Sequence, residues 1–330
     1  LSKLNIRSKH QIDIFKSIFN PNITNKSNEL KDIGLHSNMT ELIFSNNTFN
    51  SSELTKYLKN FSKIIIELRN SSSNIDDLLD NISKFKQQMK DFRIQIEIKL
   101  IYDGKTTKAN TKNIKVIDFA YIKNNLTVIE EKFFENFSAL STVSIPQSVT
   151  LLKNDCFSGC SSLKQINLPE SIKEIGDRSF KNCSSLVEIT IPKSVQKIGS
   201  SLFERCSSLV KVIIPESITE INQSTFKECT SLREVSLPNS IASIKDNAFE
   251  KCSLLPLIDL PLTIASIGNY TFYKCSSLTH AYIPSSVTSI GANSFEECSS
   301  LRLISIPLHF KDKMIGINRN IIIINNENES

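Results

Sequence analysis

The sequence predicts a repeat solenoid, α/β passing to mostly β, with an irregular α/β part over residues 1–116, stacked 23-residue coils over 117–317, and a closing strand with a polar tail over 318–330. Three observations predict it. Phenylalanine recurs at 157, 180, 203, 226, 249, 272 and 295, cysteine at 160, 183, 206, 229, 252, 275 and 298, and proline every 23 residues from 146 to 307. A fixed period this short describes stacked units, none of which buries its apolar side chains alone. Within each unit apolar and polar residues alternate, as in Ile189-Thr190-Ile191, the period of a half-buried strand. Upstream of residue 117 the period is absent, and strand-like runs alternate with helix-like ones.

Taken in order, residues 1–36 are polar and rich in Lys, Asn and Ser, with a helical pattern at Ile12 to Phe19 stopped by Pro21. Glu41 to Phe44 reads as a strand, Ser52 to Phe61 as a helix, and Ile64 to Leu68 as a buried strand. Leu78, Ile82, Phe85 and Met89 recur at helical spacing across Asn74 to Phe92, acidic residues leading and lysines trailing, as the helix dipole favours. Alternation of Ile94, Ile96, Ile98 and Leu100 marks a strand. Two readings of this part stand: a cap that continues the solenoid, or a separate small α/β domain. Asp103-Gly104 is a turn, and Lys105 to Lys115 is a basic link without acidic residues.

In the repeats, Ser-Leu-x-x-Ile-x-Ile-Pro, as at Ser185 to Pro192, gives a strand that proline ends, because its missing N–H cannot join a ladder. Val195 and Ile198 supply a second inward segment. Gly199 is expected where a positive φ is needed, and Phe203 to Cys206 is expected to close the coil with one turn of 3₁₀ or α-helix. Asn222 and Lys245 stand where other coils have that glycine, which questions the tight turn at Lys245. After Ile317, Ile321 to Ile324 read as a last strand.

The unit Ile-Gly-x-x-x-Phe-x-x-Cys-x-Ser-Leu-x-x-Val-x-Ile-Pro-x-Ser-Val, running from Ile117 to about Ile317, resembles the BspA-type (treponemal-surface-protein-like) leucine-rich repeat. The resemblance implies a curved solenoid used in adhesion or protein recognition, with no catalytic residues to carry over. Phe137 departs from it at a cysteine position, and Leu254 at a serine.

Charge divides along the chain, +7 over residues 1–116 and −2 over the rest, an excess too diffuse to argue for nucleic acid. All eight cysteines lie in the repeats, spaced as buried small apolar residues and not as a disulfide framework or a zinc site. No cofactor motif appears: glycine-rich phosphate loops are missing, and His10, His36, His280 and His309 are scattered. The sequence therefore reads as non-enzymatic. Its longest aliphatic runs fall far short of a transmembrane span. Asn-x-Ser/Thr triplets, for example at Asn125 and Asn269, are expected by chance in so Asn- and Ser-rich a chain. Localisation stays open: free buried thiols suit a reducing interior, while the resemblance leans to a cell surface.

Outward strand positions carry the remaining information. In the middle coils their charges alternate, Glu188, Lys211, Glu234 and Glu174, Lys197, Glu220, which neighbouring rungs explain without a ligand. Later coils place Leu257, His280, Tyr282 and Leu303 there, together with Leu262 and Leu308 and with Tyr270 and Tyr273 nearby. An apolar, aromatic patch on an exposed sheet suits a protein partner; packing beneath the C-terminal strand is the competing reading. Lys105, Lys108, Lys112 and Lys115 suit a solvated loop, or weak contact with an anionic membrane.

Overall fold

The protein is described by a computed structural model, which places residues 2–6, 39–45, 63–69, 95–102, 117–310 and 322–325. Its chain forms two compact units, Leu1–Lys123 and Asn124–Ser330.

In the first unit, strands Ser2–Ile6, Met39–Ser45, Lys63–Arg69, Gln95–Tyr102 and Phe119–Ile122 pair in sequence order, all parallel. Ile64 pairs with Ile96 and Ile66 with Ile98, and both Ile64 and Ile66 are fully buried. The three strands expected from alternation are present. The strand at Ser2–Ile6 was not expected, since its short Leu4 and Ile6 pattern sits in polar sequence. The helices expected at 12–19, 52–61 and 74–92 and the basic link 105–115 lie outside the described residues.

The second unit is a parallel β-solenoid. A coil contributes a strand of about three residues, such as Glu188–Thr190, reduced to a single bridge at Gln165, and a shorter one, such as Lys197–Ile198. Neighbouring coils pair in constant register, Ile189 with Val212 and Val212 with Val235. The register follows from the sequence period, because any slip would turn the inward Ile and Val side chains outward. Proline ends the first strand in each case, as at Pro192 after Thr190. The last strand, Ile322–Asn325, pairs with Leu303–Pro307 and extends the first-strand sheet. Among the described residues the sole helical element is one 3₁₀ turn, Leu308–Phe310.

Two local expectations are corrected. The returning segment is no helix: it alternates isolated i→i+3 hydrogen bonds, such as Cys206 N–H to Phe203 O at 3.0 Å, with left-handed residues such as Ser201 (φ 53°) and Arg205 (φ 61°). Every second amide therefore points along the stack to the next coil instead of back into its own turn. Nor does Gly199 adopt a positive φ. It is needed for space, since a Cβ there would stand 2.3 Å from the Asp177 nitrogen of the preceding coil. Lys245 keeps the turn in doubt intact, its N–H donating to Ile221 O at 2.8 Å just as Gly268 N–H does to Ile244 O.

The core is a set of columns. Rings from Phe134 to Phe295 stack with centroids 5.0–5.8 Å apart and planes within 22°. Beside them the cysteines are buried and free, in the predicted row. Each ladder thiol also donates to the carbonyl of a Phe in the preceding coil, for example Cys206 Sγ to Phe180 O at 3.1 Å and Cys229 Sγ to Phe203 O at 3.0 Å. A buried carbonyl with two lone pairs thus gains a second, weak donor. Hydroxyls do the same at the coil corners: Ser171 Oγ donates to Val149 O at 2.6 Å and Ser194 Oγ to Ile172 O at 2.8 Å. At the equivalent place in the last coil, His309 Nε2 stands 3.1 Å from Val287 O.

Candidate functional site

The first-strand sheet turns one face inward and one outward because its residues alternate, Glu188 and Thr190 exposed around buried Ile189. In later coils the outward row reads Leu257, His280 and Leu303, each paired with the next, and Tyr282 pairs with Ser305. Leu257 is 50% exposed and Tyr282 52%, with Leu262 at 71% and Leu308 at 59% at the proline corners. Leu303, on the strand that pairs with the last strand, is half-buried. His280 is exposed, its Nδ1 3.0 Å from Thr279 Oγ1.

Tyr270 and Tyr273 belong elsewhere. They lie in the returning turns, outside the strand sheets, with rings edge to face at 5.6 Å. Asn293 Nδ2 donates to Tyr270 Oη at 3.1 Å, and Tyr273 Oη donates to Glu297 Oε1 at 2.6 Å. Accepting that bond holds Glu297 below the usual carboxylate range. The six candidates thus divide into a strand-face group and a turn-edge pair.

Rung-to-rung charges also pair differently from one column to the next. Lys197 reaches Glu174 at 3.0 Å and Lys211 reaches Glu234 at 2.6 Å, whereas Glu220 pairs with Lys245 at 3.1 Å. A second charged row, on the turn edge, was missed from sequence. There Arg205 and Lys251 both close on Glu228 at 2.9 Å, and the Lys251 hydrogen bond leads in lowering that carboxyl's pKa. With the hydroxyls of Ser184, Ser207 and Thr230 they line an open groove of about 640 Å³. The column Asn182, Arg205, Glu228, Lys251 at constant phase was the available signal.

Burial pushes every ladder thiol upward, Cys298 to about 12, and Cys156 likewise to about 12, so none is a nucleophile at neutral pH. Among the described residues no three His, Cys, Asp or Glu side chains converge to hold a metal ion. Nor is any helix there long and apolar enough to cross a membrane. Among the described residues the arrangement brings together no acid, base and nucleophile.

The family described as BspA type Leucine rich repeat region matches residues 107–232 and 196–318, in 6 copies. Among solved structures, a leucine-rich repeat protein of T. pallidum is 30% identical over 56% of this chain and 78% of its own, with a TM-score of 0.44. One from Bacteroides ovatus is 24% identical, covering 81% of this chain and 85% of its own at a TM-score of 0.46. The pneumococcal vaccine antigen PcpA is 17% identical, covering 87% and 74% at 0.46. Comparison with curated protein sequences finds no match.

Proposed function

Because the chain belongs to the BspA-type leucine-rich repeat family, we propose that it is a non-enzymatic recognition or adhesion module that binds a protein partner through the strand face of its later coils. The observation that carries this reading is the change of the outward row from Glu188, Lys211 and Glu234 to Leu257, His280 and Leu303, with Tyr282 half exposed beside them. Aromatic and aliphatic side chains held on a rigid sheet lose little entropy on contact, which is why such groups anchor interfaces. Residues 1–116 enter as a capping part or small domain that bears the basic link.

The test is partner capture. Tyr282→Ala with Leu257→Ala weakens binding at least tenfold, as hot-spot truncation does, while the denaturation midpoint stays put. Unchanged capture removes this face from consideration. The basic excess of residues 1–116 favours a second reading, a peripheral scaffold attached to anionic membrane through Lys105, Lys108, Lys112 and Lys115. Sedimentation with phosphatidylserine vesicles decides it: binding is expected at low salt and lost at high salt, and no binding at low salt ends it.

A further inference from the structure

In every coil from that of Phe134 to that of Phe272, three alternate amides of the returning turn point along the stack and donate to the next coil. Arg178, Phe180 and Asn182 give their N–H groups to Ser200, Leu202 and Glu204 at 2.9, 3.1 and 2.8 Å; Tyr270, Phe272 and Lys274 give theirs to Ala292, Ser294 and Glu296 at 2.9, 2.8 and 3.0 Å. The left-handed residues that flank each Phe orient these donors, and Asn293 (φ 57°) and Glu297 (φ 58°) repeat the geometry in the last full coil. Among the described residues, the N–H groups of Asn293, Phe295 and Glu297 meet no acceptor. Backbone donors aligned at one strand-like spacing are the template for adding an extended segment.

Charge narrows what fits. Glu228 is held from both neighbouring coils, by Arg205 Nε on one side and Lys251 Nζ on the other, each at 2.9 Å. Glu297 occupies the same repeat position and is held from the preceding coil alone among the described residues, by Lys274 Nζ at 3.4 Å and by the Tyr273 hydroxyl at 2.6 Å, with its side chain 53% exposed. Adjacent Glu296 adds a second negative charge. The following side asks for a cation. We infer that the turn edge at Asn293–Glu297 is a second docking site, which takes an extended peptide segment carrying lysine or arginine as one more rung of the stack. The segment's carbonyls accept from the three amides and its cation sits beside Glu297, as Lys251 sits beside Glu228. This site is distinct from the strand face and does not depend on it.

The probe is a fluorescein-labelled peptide copying residues 245–251, added to the full chain up to millimolar concentration. Anisotropy rises to saturation, and amide hydrogen exchange at Asn293, Phe295 and Glu297 slows on binding. A peptide with the equivalent of Lys251→Glu binds about two- to fivefold more weakly, as does a Glu297→Gln protein, the loss of one exposed ion pair. Melting of that variant is unchanged, and Tyr282→Ala leaves peptide binding intact. The inference is overturned by absence of saturable binding, by equal binding to Glu297→Gln, by amides already protected before peptide is added because the chain fills its own edge, or by self-association that the peptide does not compete.

Discussion

The outward face of the middle coils and that of the later coils share one backbone and differ almost completely in chemistry. Glu188, Lys211, Glu234 and Thr190 project from the first; Leu257, His280, Leu303 and Tyr282 from the second, at the same repeat positions. Beneath both, the inward residues stay apolar and buried: Ile189, Val212, Val235, Ile258, Ala281 and Ile304. A stack constrains the side of each coil that meets its neighbours and leaves the solvent side free, so variation gathers where no packing opposes it. The strand face is therefore where side chains can vary at little cost to the stack.

The largest test of that contrast pits an inward residue against an outward one. Phe203→Ala removes a fully buried ring stacked between Phe180 and Phe226. It is expected to cost about 3–5 kcal/mol in urea unfolding, against less than about 0.5 kcal/mol for Tyr282→Ala. Similar costs at the two positions would erase the distinction between the two sides.

Alkaline pH gives the next largest effect. The folded thiols are raised by burial, Cys156 and Cys298 to about 12, while unfolded thiols ionise near about 8.5. Their contribution is whole below the unfolded value and is lost as pH rises toward the folded one, because the unfolded chain releases protons first. Stability is expected to be level up to about pH 8 and to fall steadily through pH 9–11, with thiol alkylation tracking unfolding. Alkylation of native protein at neutral pH would contradict the buried row.

The smallest effect belongs to the charged rungs. Lys211→Ala breaks an exposed pair with Glu234 and is expected to shift stability by no more than about 1 kcal/mol, less at high salt. A larger, salt-independent loss would mean that the middle face is also organised for something beyond its own rungs.

Much of this was legible in the sequence. Period, strand order, the buried cysteine row and the outward columns follow from constant spacing and alternation, since each depends only on residues one coil apart. Three things were not. The glycine at 199 answers to a backbone 2.3 Å away, a distance that no single repeat contains. The left-handed residues carry side chains as different as Arg205, Glu228 and Tyr270, so no residue type announces them. Tyr270 and Tyr273 look like neighbours of Tyr282 along the chain, yet the fold sends them to the turn edge.

What the chain determined by itself is the solenoid and which side chains enter it, because a motif copied at fixed phase can bury its Ile, Phe and Cys only by stacking. Tertiary structure alone decided which outward groups share a surface and which amides, among the described residues, meet no acceptor. Both depend on where one coil lies upon the next, and that is a matter of backbone geometry between repeats, not of composition within them.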